Sequence, residues 1–404
     1  MLKKISVENL CIGMYIDKFD GNWLKHPFWK TAFKLETSKD LKTIKGSEVT
    51  HLWIDTSKGD DIKDTSTPAP ETLTETSQQN PPPSKKPKTA PNIDIGQEIQ
   101  AAQEILTKAK QATIDMFNDA RMGNSISTAE ISPLVDEISS SITRNPAAMI
   151  CITRMKNKDD YTYLHSVAVC ALMIALGKQL NYTGDFHALG MAGLLHDVGK
   201  MAIPEDIINK PGKLTDDEFD IVKTHPKRGW EILQEGNVVD EVSLDVCLHH
   251  HERVDGHGYP EKLSADSLSL VARMGAVCDV YDAITSERSY KTGWEPADAL
   301  KKMAEWQDGH FDADVFKAFV KTIGIYPSGT LVKLKSGRLG VVTDQSTKTL
   351  LKPKIKIFFS CSSKSPIPTK FIDLNLSNES IESVESPQNW GFDRQHLMNL
   401  LKQQ

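Results

Sequence analysis

The histidines of this chain are unevenly spread: eight of the twelve fall between residues 165 and 257. Within that stretch stand His196-Asp197-Val198-Gly199-Lys200, His225-Pro226, His249-His250-His251-Glu252 and Gly258-Tyr259-Pro260, with Asp279 just beyond. Neutral imidazole and carboxylate are the ligands that hold borderline divalent metals. Two adjacent donors, an isolated histidine about a helix length on, and a histidine pair before a glycine turn suggest more than one ion. Such a donor set points to hydrolysis of a phosphate ester. No side-chain nucleophile is evident, because G-x-S-x-G and Cys-His motifs are both absent.

The donors also narrow the metal. Absence of cysteine argues against a structural zinc site. Imidazole mixed with carboxylate suits iron or manganese ahead of nickel, cobalt or zinc. The six cysteines show no CxxC and read as reduced core residues of a cytosolic protein, Cys247 and Cys278 included. Net charge −6 argues against a non-specific nucleic-acid binder, so DNA is not an expected partner. The longest apolar run, Ala168 to Leu176, is about half a membrane span, and the N-terminus lacks the apolar core of a signal peptide. The expectation is a cytoplasmic protein with no membrane partner.

A chain of 404 residues has room for two or three domains. Residues 1–59 read as a small β-rich domain, with strand-like runs at 3–7, 10–16, 32–35 and 51–55 and three tryptophans for its core: Trp23, Trp29 and Trp53. Residues 60–93 turn to Pro, Ser, Thr and Lys, too polar to repay ordering, and read as a disordered linker. Residues 94–123 read as a connecting helix, 95–122, closed by Gly123. Its stripe runs through Ile95, Ile99, Ala102, Leu106, Ala109, Thr113, Met116 and Ala120. The stripe fits packing on its own domain, or a signalling or dimer helix. Residues 124–326 read as an all-helical domain, with Ser127-x-x-Glu130 and Thr215-x-x-Glu218 as capping boxes. Residues 327–404 read as a β-rich extension with strands at 330–334, 339–343 and 354–360 and a terminal helix near 393–401. The fold class is therefore mainly α, with small β-rich parts at both ends.

Residues 125–325 resemble the HD-GYP family, HD-superfamily phosphodiesterases that degrade cyclic dinucleotides. The blocks that carry the resemblance are His196-Asp197-Val198-Gly199-Lys200, His250 through Pro260, and Asp279 through Tyr290. Residues 1–59 look like the small domain of undefined role that precedes many such proteins. The resemblance implies metal ligation by His165, His196, Asp197, His225, His250, His251 and Asp279. Seven protein ligands exceed one ion's needs, which fits a binuclear centre bridged by Asp197. Two ions about 3.5–4 Å apart can ready a shared water for in-line attack at phosphorus. Some relatives hold a third metal partly through a glutamate four residues before the first histidine. Tyr161 stands there, with Asp159 and Asp160 nearby, so two ions are expected.

His250 and His251 point about 100° apart on a regular helix, so they can share an ion only near a helix end, which Asp255-Gly256 would supply. His249 reads as a surface or supporting residue. Lys200 is expected to neutralise phosphate charge and aid the leaving oxygen, against the plainer reading of a surface lysine. Arg288 and Lys291 grip substrate phosphates by resemblance, or form a solvated charged face. Tyr259 either lines the pocket or is structural. Glu252, Arg253 and Asp255 read as a supporting ion-pair network, and His26 and His51 as structural or surface residues.

The leading function is cyclic di-GMP hydrolysis to pGpG, continuing in some cases to GMP. The alternatives are a phosphodiesterase preferring 3′,3′-cyclic GMP-AMP, a low-turnover signalling or docking module, and a mononucleotide phosphohydrolase. A regulatory protein partner, through the N-terminal domain or the Gly-Tyr-Pro loop, and a homodimer complete the expected partners.

Overall fold

The computed structural model describes residues 2–19, 33–45, 50–61, 94–154, 161–236, 240–286, 293–306, 309–346 and 348–402. It forms two compact units, Met1–Lys88 and Thr89–Gln404.

In the first unit, β1 (Leu2–Ser6), β2 (Tyr15–Phe19), β3 (Phe33–Lys34) and β4 (His51–Asp55) form an antiparallel sheet in the order β1-β4-β2-β3, with α1 (Ser38–Lys45) between β3 and β4. Alternation puts Ile5, Ile16, Leu52 and Ile54 on one face, where they bury Leu10, Met14, Leu35 and Ile44. The run 10–16 is not one strand as expected. A 3-10 turn at Val7–Asn9 and Gly13, at φ +98°, break it before β2 begins. Trp23, Trp29, His26 and most of the expected linker lie outside the described residues.

The second unit opens with α2 (Ile95–Arg121), followed by α3 (Ile131–Arg144), α4 (Pro146–Arg154), α5 (Tyr161–Leu180) and α6 (Phe186–Leu195). Then come α7 (Glu205–Ile208), α8 (Asp216–Val222), α9 (His225–Glu235) and α10 (Glu241–His249). After these lie α11 (Leu270–Thr285), α12 (Pro296–Trp306) and α13 (Ala313–Ile323). α2 starts at an Asp94 cap, ends at Gly123 with φ +76°, and packs on α3, α4 and α5. Ile105 rather than Leu106 is the buried residue of its middle turn.

The Thr215/Glu218 capping box forms as expected. The Ser127/Glu130 box does not: Glu130 already has helical backbone angles, and Ser127 Oγ accepts only from the Ala129 N–H at 3.4 Å.

α5 is apolar on every side and therefore belongs in the interior. Thr162–Leu180 is long and apolar enough to cross a membrane, yet 78% of that stretch is buried in the protein.

The chain closes with β5 (Leu331–Leu334), β6 (Arg338–Asp344), β7 (Lys354–Ser360), β8 (Ser365–Asp373) and β9 (Ile381–Val384), an antiparallel sheet in the order β8-β7-β6-β5-β9, and α14 (Arg394–Lys402). α14 packs on α2, and the buried Lys356 ammonium donates to the Leu400 carbonyl at 2.9 Å.

One half-buried ion pair ties α2 to α3. The Arg144 guanidinium donates twice to the Glu98 carboxylate, at 2.7 Å each, and Ser141 Oγ adds a bond at 2.8 Å. Burial opposes the Glu98 charge, but Arg144 and Ser141 prevail and hold its pKa below the ordinary 4.5. A carboxylate depressed in the folded state stabilises the fold above its unfolded pKa. That stability is lost as pH falls below 4.5 through the folded value. Glu98→Ala should cost about 1–3 kcal/mol at pH 7, read as a lower melting temperature of the helical unit by calorimetry, and less at pH 3. An equal penalty at both pH values would contradict this role.

Candidate metal centre

The seven expected donors converge. His165 comes from α5; His196 and Asp197 come from the end of α6; His225 opens α9; His250 caps the end of α10 with His251 after it; Asp279 sits in α11. Six of these are buried and His251 is half-buried. The two Asp197 oxygens face different groups. Oδ2 lies 3.5 Å from His165 Nε2 and 3.4 Å from His196 Nε2, whereas Oδ1 lies 3.3 Å from His225 Nε2 and 3.7 Å from His250 Nε2. Asp279 closes the arrangement, its Oδ1 at 3.0 Å from His165 Nε2 and its Oδ2 at 3.8 Å from His251 Nδ1.

The imidazoles are held in the tautomer that a cation needs. His196 Nδ1 donates to the Gly193 carbonyl at 2.8 Å, and His225 Nδ1 to Val222 at 2.7 Å. His250 Nδ1 donates to Cys247 at 3.0 Å, and His165 Nδ1 to the Asp282 carboxylate at 2.7 Å. Each Nε2 is thereby left as a lone pair aimed inward. His225 and His250 present their Nε2 atoms to each other at 3.3 Å, two acceptors with no proton to share. His196 Nε2 and Asp197 Oδ1 are buried with no hydrogen-bond partner among the described residues. Donors about 2.1 Å from one ion at 90–110° to each other sit roughly 3.0–3.4 Å apart, close to these spacings. The groups His165/His196/Asp279 and His225/His250/His251 could each hold a divalent cation, so the residues fit a pair of ions.

The electrostatics agree. Burial opposes the Asp197 charge, yet Lys200 and His196 hold its carboxyl well below the usual range. Burial likewise opposes Asp279, and His165 and His196 keep it ionised. Burial pushes His251 down to about 3 and His250 far below its ordinary value, with neighbouring imidazoles adding to the latter. His196 goes the other way, to about 10, because Asp197 and Asp279 outweigh its burial. Two buried carboxylates thus draw positive charge into this pocket. A divalent cation competes with protons for the same imidazole lone pairs, so its affinity falls with falling pH.

Glycine lets these parts meet. A Cβ on Gly199 would overlap the His225 carbonyl and the Gly229 backbone, so the 198–202 turn can press against α9 only because both positions lack side chains. That contact brings His225 to Asp197.

Several expectations need correction. The helix carrying His250 ends at His249, six residues before the Asp255-Gly256 turn expected to end it. Glu252 forms no ion pair among the described residues. It is buried and accepts the backbone N–H groups of Glu261, Lys262 and Leu263 at 2.6, 2.8 and 3.1 Å, fixing the Gly-Tyr-Pro loop. Arg253 and Asp255 do pair, at 2.6 Å. His249 stays outside both clusters, bonded to Asp245 at 2.7 Å and facing Glu261 at 3.3 Å. Tyr259 stacks on His251 with ring centroids 4.8 Å apart, and the Lys200 ammonium bonds Asp197 Oδ2. Cys247 and Cys278 are buried, and His51 is exposed. Arg288, Lys291, Asp159 and Asp160 lie outside the described residues.

Asp282 is a supporting residue that sequence reasoning misses. It lies three residues after Asp279, on the same face of α11, and is buried against His165. A carboxylate there fixes the tautomer and orientation of the His165 ring. Asp282→Asn should weaken metal binding about 10–100-fold by titration calorimetry while the helical fold persists by circular dichroism. Unchanged affinity would remove Asp282 from the site.

Comparison with known proteins places the chain. The model of a domain of unknown function, DUF3391, matches residues 2–131, and an HD-domain model matches residues 146–315. The cyclic di-GMP phosphodiesterase PA4108 of Pseudomonas aeruginosa is 50% identical over 397 residues, 97% of this chain and 94% of its own. The cyclic di-GMP phosphodiesterase response regulator RpfG of Xanthomonas campestris pv. campestris is 42% identical over 158 residues, 39% of this chain and 40% of that protein. Among solved structures, Bd1817, an HDG"Y"P protein from Bdellovibrio bacteriovorus, aligns with 80% of this chain and 99% of its own, at 18% identity and a TM-score of 0.48. With the sequence blocks, the two domain models and the full-length similarity in agreement, the chain belongs to the HD-GYP family of metal-dependent phosphohydrolases, in the form that carries a DUF3391 domain ahead of the HD domain.

Proposed function

We propose that the protein hydrolyses cyclic di-GMP to linear pGpG in the cytoplasm. Two divalent ions, iron or manganese, would be held by His165, His196, Asp197, His225, His250, His251 and Asp279. The observation that carries this reading is the division of the Asp197 oxygens between two imidazole groups. A full-length relative with that activity supports the substrate.

When bound, the ions supply Lewis acidity for a water nucleophile and for charge on the phosphoryl oxygens. Asp197, with one oxygen toward each imidazole group, would help to hold both ions. Lys200, bonded to Asp197 and partly exposed, supplies a mobile positive charge at the edge of the cluster. It neutralises charge that grows on phosphorus-bound oxygens and can pass a proton to the departing ribose oxygen. The new bond joins water oxygen to phosphorus and the bond to the ribose oxygen breaks; the ribose oxygen takes its proton from Lys200, one water proton restores the ammonium, and the other passes through the new terminal phosphate to solvent. Tyr259 braces His251 by stacking and lines the mouth of the site. Arg288 and Lys291 take the second phosphate in this reading, by resemblance alone.

Residues 1–59 serve as a regulatory or docking domain in this proposal, 60–93 as a linker, 94–123 as a connecting helix, 124–326 as the catalytic domain and 327–404 as an extension. Protein purified without oxygen should release pGpG from cyclic di-GMP with manganese or ferrous iron, measured by chromatography. Lys200→Ala should lower kcat about 100-fold while bound metal is unchanged. No turnover with either metal would overturn the substrate assignment, and unchanged kcat would overturn the role of Lys200.

A further inference from the structure

The turn at 198–202 carries Lys200 and is pressed between two helices. On one side its Gly199 meets Gly229 of α9. On the other it packs against the end of α2. A 3-10 turn repeats every three residues, so neighbours point about 120° apart. Lys200 accordingly reaches the Asp197 carboxylate, while Met201, next in the chain, is buried. The Arg121 guanidinium lies against that buried side chain, with Nη2 3.5 Å from Met201 Sδ, and Nη1 pairs with the Glu205 carboxylate.

Arg121 issues from a fixed base. Phe117, one helical turn earlier on the same face, is fully buried and meets Tyr163 of α5 edge-on, ring centroids 5.8 Å apart. Met116 and Ala120 are buried beside it, and Gly123 ends the helix just beyond. α7, by contrast, buries no residue of its own, so its first residue, Glu205, is tied to α2 by charge. One guanidinium therefore grips the chain at Met201, next to Lys200, and again at Glu205, where α7 begins. We infer that Arg121 is a positioning residue for the reaction: it holds the 198–202 turn so that the Lys200 ammonium stays at Asp197, on the edge of the metal cluster. It acts through Met201 and Glu205 rather than on the reacting atoms, and its role presupposes the one proposed for Lys200. A shift of the C-terminal end of α2 would then displace Lys200 and lower turnover with no change in metal content.

The test compares metal-loaded Arg121→Ala, Glu205→Ala, the double variant and Arg121→Lys by steady-state kinetics on cyclic di-GMP. The Arg121 and Glu205 side chains are 31% and 67% exposed, so truncation opens no core. Each Ala variant should lower kcat about 5-fold, the most that a partly exposed ion pair sustains, with KM and bound metal unchanged. The double variant should lose no more than either single one, because both remove the same tie. Arg121→Lys, which keeps the charge, should retain most of the rate. A second readout needs no turnover: acylation of Lys200 by acetic anhydride, mapped by peptide mass spectrometry, with Lys178 on α5 as the internal standard. Acylation should quicken about 2–5-fold in the Ala variants as the ammonium leaves Asp197. Unchanged kcat in an active parent, unchanged acylation, or a second full loss in the double variant would overturn the positioning role. A parent protein with no turnover would instead remove the role of Lys200, and acylation would still decide whether Arg121 holds the turn.

Discussion

A carboxylate with no exposure to water is costly unless positive charge accompanies it, and Asp197 is such a group at the middle of this protein. Around it stand imidazoles whose outer nitrogens are committed to carbonyls or to Asp282, so their inner lone pairs cannot neutralise it. One ammonium, from Lys200, reaches one of its oxygens. The remaining demand for charge suits the cluster to a cation, and the two oxygens face donor groups that could each hold one. Reactivity toward a phosphate diester follows from that division.

The rest of the helical unit can be understood as the means of assembling these groups. α5 is buried on all sides, so His165 is placed by packing rather than by a loop. Paired glycines at 199 and 229 remove the bulk that would separate the His-Asp turn from α9. Glu252 gathers three backbone N–H groups and so fixes the loop whose Tyr259 braces His251. Each device trades local freedom for a donor position, as a preorganised site requires.

The metal donors were legible because blocks such as His196-Asp197 and His250-His251 keep their meaning at any position in a fold. Supporting residues were less so. Asp282 looks like one more helix acid until α5 is laid beside α11, and Glu252 resembles an ion-pair partner until the loop folds over it. Elements failed for local reasons. Gly13 breaks an apolar run that reads as one strand. α1 has only Leu41 and Ile44 facing the core among its lysines, too weak a stripe to find. β8 carries Pro366 and Pro368, which read as breakers, yet it is an edge strand, where missing donors are tolerated. The 3.6-residue period drifts against a strict 4-3 stripe, which is why Ile105 and not Leu106 is buried in α2.

The proposed function rests on one side chain placed to serve two cations at once. Elemental analysis of the oxygen-free protein and of its Asp197→Asn variant measures that directly. A bridging Asp197 predicts two ions per chain in the first and one or none in the second. Two ions retained in the variant, or a single ion in the parent protein, would contradict it.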